Sequence, residues 1–92
     1  MIRTFRHKGL ERLFRKSDAR GIPADRVKRI LRMLDRLDVA ERPAEMNLPG
    51  WQFNSLKGAM KGRFACSVSG NFRLTFTFDG KDAVDVDLED YH

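Results

Sequence analysis

The hydrophobic pattern of this 92-residue chain changes its period once, near Trp51, and this change constrains the fold most. Before Trp51, apolar residues recur at helical spacing, whereas after it apolar and polar residues alternate as in half-buried strands. A helical half followed by a strand half predicts an α+β fold, in which helices cover one face of an antiparallel sheet. The length predicts one domain over residues 1–92.

The first half predicts a short strand and a helical hairpin. Residues 2–6 are typical of a strand, and residues 8–16 place Leu10 and Leu13 on one apolar stripe. A second helix is expected over residues 23–38, because proline is well suited to a first helical turn. The two amphipathic helices are joined by a short turn and need a partner for their apolar stripes.

The second half predicts a meander of three antiparallel strands over residues 64–68, 72–78 and 84–89. Each strand has one apolar and one polar face, and the alternation places Val84, Val86 and Leu88 together on the apolar face. The helices are expected to cover that face. The opposite face is expected to be open to solvent or ligand, and it carries Arg73, Thr75, Thr77, Asp85 and Asp87.

Charge, hydropathy and cysteine content favour one kind of partner and exclude several classes of protein. Residues 1–42 hold 13 Lys and Arg against 6 Asp and Glu, which favours a polyanion such as RNA or DNA as partner. Solvated helix faces are the competing explanation for these cations. No membrane span or secretory signal is expected. A lone cysteine, Cys66, indicates a reducing cytoplasm and, with few other soft ligands, argues against a zinc site.

Four segments occur in the order in which one toxin family carries them: FRHKGL at 5–10, LKGAMKG at 56–62, GNFRLTF at 70–76 and EDYH at 89–92. The last three resemble the family patterns L-K-G-x-x-x-G, N-W-R-[IVL]-x-F and [EV]-D-Y-H. The chain therefore resembles the HigB toxins of type II toxin–antitoxin systems, which are part of the RelE-like superfamily.

The resemblance implies a ribosome-dependent endoribonuclease that cuts mRNA in the decoding site and uses neither metal nor other cofactor. It also implies the RelE-like, microbial ribonuclease-like fold, and a helix-turn-helix antitoxin of HigA type as partner. Metal-free cleavage of RNA uses the 2′-hydroxyl as nucleophile, so the site needs acid–base groups and cations near the phosphate.

Five residues are the expected catalytic set. Arg73 can bind phosphate oxygens in a fork, although a cross-strand ion pair with Asp85 or Asp87 is equally compatible with its position; the resemblance favours phosphate. Lys57 is a second candidate cation, although its position alone is more typical of a surface lysine. The resemblance makes His92 the general acid or base. Asp90 could orient His92 or act as the base, and Tyr91 could stack, bind phosphate or anchor the tail.

One position departs from the family. Some HigB relatives carry a histidine shortly before L-K-G, where this chain has Asn54, which can donate hydrogen bonds but cannot exchange a proton near neutral pH. We expect Asn54 to position RNA without titrating. The full set expected to bind messenger or ribosomal RNA is Asn54, Lys57, Lys61, Arg63, Arg73, Arg29, Arg32 and Arg36.

Other notable side chains are expected to be structural: His7 at a strand-to-helix junction, Cys66 as a small buried residue, and Trp51 and Phe53 in or beside the core. Two alternative functions remain. A non-catalytic RNA- or ribosome-binding module fits the charge but would lack stacking aromatics. A helix-turn-helix regulator fits the basic hairpin, but only two helices are predicted and half of the chain is sheet.

Overall fold

The computed structural model describes residues 1–90 and has one four-stranded antiparallel sheet in the order β1-β2-β3-β4. The strands are β1 (Asn54–Ser55), β2 (Phe64–Ser69), β3 (Phe72–Asp79) and β4 (Asp82–Asp90). The last three confirm the predicted meander. Two-residue β1 was not predicted, because so short a segment has no period of its own and is defined by its pairing with β2.

Two helices precede the sheet: α1 (Lys8–Lys16) and α2 (Val27–Val39). The bounds of α1 are those that the apolar stripe predicts. The second helix begins with a 3₁₀ turn, Ala24–Arg26, because the Arg26 amide bonds back only three residues, to the Pro23 carbonyl at 2.9 Å. Further 3₁₀ turns are Pro43–Met46 and Gly58–Met60.

The core lies between the helices and one sheet face, as predicted. Leu10 of α1 and Leu34 of α2 are fully buried, as are Leu74 and Phe76 of β3 and Val86 of β4. Because this burial removes the apolar face of every long strand from water, it is the main stabilising contribution to the fold.

The predicted N-terminal strand is present as two isolated parallel bridges along the outer edge of β4. Ile2 pairs with Ala83, and Phe5 pairs with Val86. The amide of Ile2 also donates to Asp38 Oδ1 at 2.9 Å, which ties the segment to α2.

A bulge in β4 changes which of its residues face the core. Asp85 has a left-handed backbone (φ +53°), and the pairing with β3 shifts by one residue around it. Ala83 and Val86 are therefore both fully buried, whereas Val84 is partly exposed and pairs with Thr77. The prediction that Val84 shares the core face with Val86 was wrong, because strict alternation allows for no extra residue.

Candidate active site

The sheet face opposite the helices holds the polar side chains of β2, β3 and β4. Pairing in register places residues of neighbouring strands side by side on one face. One row across the sheet is Ser67–Arg73–Glu89 and the next is Ala65–Thr75–Asp87. These two rows define what we call the polar face.

Arg73 lies at the end of the polar face nearest the β2–β3 turn and forms an ion pair with Glu89. Its Nε and Nη2 donate to Glu89 Oε1 at 3.1 and 2.9 Å. Each side chain is about a quarter exposed, so the pair is partly shielded from water. The expected cross-strand alternative was Asp85 or Asp87, whereas the structure places Glu89 directly opposite Arg73.

The centre of the polar face is closed, not open as the alternation predicted. Thr75 is fully buried, and its hydroxyl bonds both to Glu89 Oε2 at 3.1 Å and to Nη2 of Arg63 at 2.9 Å. Arg63 Nη2 also donates to the Asp85 carbonyl at 2.8 Å. Only 7% of Arg63 is exposed, so its guanidinium is withdrawn from the surface where the sequence had placed an RNA contact.

The surroundings of Arg63 shift the pKa of its guanidinium in opposite directions. Burial is the main influence and lowers the pKa of the Arg63 guanidinium, and the nearby charge of Arg6 acts in the same direction. The carboxylates of Glu89, Asp87 and Asp85 act in the opposite direction. Such carboxylates make it possible to keep a guanidinium inside this face.

Of the three expected catalytic residues at the end of the chain, Asp90 alone is among the described residues. It is exposed, it pairs with Phe72 across the sheet, and its Oδ1 accepts a hydrogen bond from Asn71 Nδ2. Because neighbouring strand residues alternate between faces, Asp90 projects from the opposite side of β4 to Glu89. Tyr91 and His92 lie outside the described residues.

Asn54, Lys57 and Lys61 lie along the β1 edge and the loop that joins it to β2. Asn54 pairs with Ala65, in the same row as Thr75, and its Nδ2 contacts the Gln52 carbonyl at 3.4 Å. Lys57 and Lys61 flank the 3₁₀ turn of this loop, and all three residues are exposed. This loop precedes β2, whereas Arg73 of β3 pairs with Ser67 near the other end of β2. The loop and Arg73 are therefore about 13 Å apart along the strand direction, at the usual rise of ~3.3 Å per residue.

The three helical arginines are used differently. Arg29 is half-buried, and its Nη2 donates to the carbonyls of Gly50 and Ser67 at 2.9 and 3.0 Å, so it fastens α2 to the sheet. Arg36 is exposed and donates from Nε to the Glu45 carbonyl at 3.1 Å. Arg32 is also exposed. Only Arg32 and Arg36 therefore present their charge on the helix surface.

The side chains that were expected to be structural have structural contacts or are buried. His7 is the N-cap of α1, where its Nδ1 accepts the Leu10 amide at 3.1 Å. Cys66 is fully buried, and burial raises the pKa of its thiol to about 12. Trp51 is buried, and Phe53 stacks on Phe64 with ring centroids 5.8 Å apart.

Within residues 1–90, no cluster of three or more His, Cys, Asp or Glu side chains could hold a metal ion. No helix there is long and apolar enough to cross a membrane.

Sequence reasoning missed Glu89 as part of the site, and it placed Thr75 on this face without predicting its contacts. A signal was present in the register. Counted outward from the turn between β3 and β4 without a bulge, Arg73 would face Leu88, which sets a polar residue against an apolar one. One extra residue in β4 removes this conflict and brings Glu89 opposite Arg73.

Two helices on one face of a four-stranded antiparallel sheet form an α+β fold that is consistent with the RelE-like toxins. A family model described as "RelE-like toxin of type II toxin-antitoxin system HigB" matches residues 3–92, so the chain belongs to the HigB-like toxin family. It is similar to a Proteus vulgaris protein named Endoribonuclease HigB, with 40% identity over the full length of both chains.

Proposed function

We propose that residues 1–92 form a single HigB-like toxin domain that cleaves messenger RNA in the ribosomal decoding site and so stops translation. The observation that carries this proposal is the Arg73–Glu89 pair, which holds a guanidinium on the polar face beside the strand that leads to the Asp90-Tyr91-His92 tail. The name of the Proteus vulgaris relative supports ribonuclease chemistry.

The proposed reaction is an internal transfer without metal. The 2′-oxygen attacks the neighbouring phosphorus, the bond from phosphorus to the 5′-oxygen breaks, and the products carry a 2′,3′-cyclic phosphate and a 5′-hydroxyl. One group must take the 2′-proton and another must give a proton to the 5′-oxygen. His92 is proposed to transfer one of these protons, and Tyr91 is proposed to contact the RNA. Asp90 projects from the opposite side of β4 to Glu89, so it is proposed to orient His92 and not to act at the phosphate itself.

Arg73 is proposed to stabilise the charge that develops on the phosphorane oxygens. Preorganised cations act best where they need no rearrangement during the reaction, and the contact with Glu89 restrains Arg73 in this way. Lys57 is proposed as the second cation of the catalytic set, and Lys61 is proposed to contact RNA. Asn54 lies between this loop and the centre of the polar face.

Partners follow from the family. We infer that a helix-turn-helix antitoxin of HigA type binds the toxin and that both act in the cytoplasm. Two exposed arginines of α2, Arg32 and Arg36, are proposed to contact ribosomal RNA, because such phosphate contacts set position and affinity.

A cleavage assay on translating ribosomes tests the proposal. Wild-type protein should give discrete cuts in the message and none in the same RNA without ribosomes. Arg73→Ala should lower the rate ~10²–10³-fold, the range for loss of a transition-state donor. Arg20→Ala is the matched control, because Arg20 pairs with Asp18 in the loop between the helices. Equal cutting by Arg73→Ala would contradict the assignment, and binding without cuts would favour the non-catalytic module.

The same assay tests the departure at position 54. Asn54→Ala should cost clearly less activity than His92→Ala, because an amide can position RNA but cannot transfer a proton near pH 7. An equal or larger loss for Asn54→Ala would contradict this division of roles.

A further inference from the structure

Arg63 is a buried charged residue to which the proposed reaction gives no task. Its Nη2 bonds to Thr75 and to the Asp85 carbonyl. Its Nε and Nη1 are buried and find no hydrogen-bond partner within residues 1–90. Unpaired buried donors lower stability, so the fold gains little from having a guanidinium here.

Arg63 is connected to Arg73 by two intermediate side chains. A guanidinium can only donate, so Thr75 Oγ1 must accept from Arg63 and its one proton is left for Glu89 Oε2, at 3.1 Å. The other oxygen of Glu89 accepts from Nε and Nη2 of Arg73. The donor and the acceptor of each hydrogen bond between Arg63 and Arg73 are therefore fixed.

We propose that Arg63 and Thr75 are positioning residues that hold Arg73 for the scissile phosphate by fixing Glu89 at both of its oxygens. The proposal rests on the proposed function, in which Arg73 binds that phosphate. A carboxylate bonded only to Arg73 could rotate with it, whereas one that Thr75 also holds cannot. Small displacements of a reacting group cost large factors in rate, so restraint of this kind affects catalysis.

The first test measures the restraint of Arg73 directly. ¹⁵N relaxation of the Arg73 Nε–H group reports its order parameter on the fast timescale. Thr75→Val should lower this order parameter, and Thr75→Ser should restore it. Thr77→Val is the matched control, because it makes the same change on the same strand but breaks a bond to the Gly62 carbonyl. An unchanged order parameter in Thr75→Val would overturn the proposal.

The second test separates positioning from folding, and it uses Arg63→Met in case Thr75→Val folds poorly. Removing one partner from a buried charged network usually destabilises, so the cleavage rate of Arg63→Met is measured at a temperature where the variant is fully folded. We expect its cleavage to slow at least about 10-fold through loss of alignment. A lowered midpoint with an unchanged cleavage rate would show a purely structural residue and overturn the proposal.

A double-mutant cycle then asks whether Thr75 acts through Arg73. On an Arg73→Ala background, Thr75→Val should cause no further loss of the single-turnover rate, whereas the effect of Thr77→Val should be the same on both backgrounds. A full additional loss from Thr75→Val would contradict a role through Arg73. If the wild-type protein cuts no RNA, the proposed function fails, and the Nε–H measurement still decides whether the chain of contacts restrains Arg73.

Discussion

His7 and His92 are the only histidines of the chain, and the structure gives His7 a task that needs no catalysis. Nδ1 of His7 accepts the Leu10 amide at the start of α1, and Leu10 itself is fully buried. Loss of an N-cap costs ~1 kcal/mol in a range of about 0.5–2. In a domain of this size ~1 kcal/mol lowers the melting temperature by roughly 4–8 °C, which is the shift expected for His7→Ala.

His7→Asn is the matched variant, because asparagine is among the best N-cap residues. Differential scanning calorimetry should show most of the lost stability restored. Gly9→Ala should also destabilise, since a Cβ there would lie 2.8 Å from His7 Cε1. At a temperature where all variants are folded, the cleavage rate of His7→Asn should match the wild type. A loss of more than about 10-fold in that folded variant would refute the structural assignment and make His7 part of the chemistry.

Three further predictions use other residues. Cys66 should resist iodoacetamide at pH 8 while the protein is folded and react as it unfolds, because burial raises the pKa of its thiol to about 12; rapid labelling of the folded protein would contradict its burial. The hydrogen bonds from Arg20 lower the pKa of Asp18 to about 2, so the stabilisation by this pair is present above pH 3.8 and lost as the pH falls toward 2. Carboxyl NMR of Arg20→Ala should show that pKa returning toward 3.8, and no change would refute the pairing. Arg32→Glu and Arg36→Glu should each reduce the salt dependence of ribosome binding by about one phosphate contact, and an unchanged slope would place the contact elsewhere.

The general architecture could be predicted because each half of the sequence has one dominant period. The apolar stripe of α1 and the alternation in β2 and β3 are local patterns, and their bounds follow from them directly. The start of α2 was less predictable, because Pro23 is compatible with a first helical turn but does not determine that this turn, Ala24–Arg26, is 3₁₀.

The interior of the polar face could not be predicted from periodicity. Residues 84–89 alternate between apolar and acidic side chains without interruption, so nothing in that run indicates the left-handed residue Asp85. The bulge comes from a conflict between two strands, which appears only when their registers are compared. Arg63 has the sequence context of a surface residue, and its burial depends on contacts with Thr75 and the Asp85 carbonyl on other strands.

The most direct test of the proposed nuclease is the chemistry of the ends that it leaves on a ribosome-bound message. Attack by the 2′-oxygen predicts a 5′-hydroxyl on the downstream fragment and a 2′,3′-cyclic phosphate on the upstream one. Both should disappear with Arg73→Ala and persist with the control Arg20→Ala. A 5′-phosphate on the downstream fragment would contradict the account, because that end requires an external water, not the ribose hydroxyl, as nucleophile.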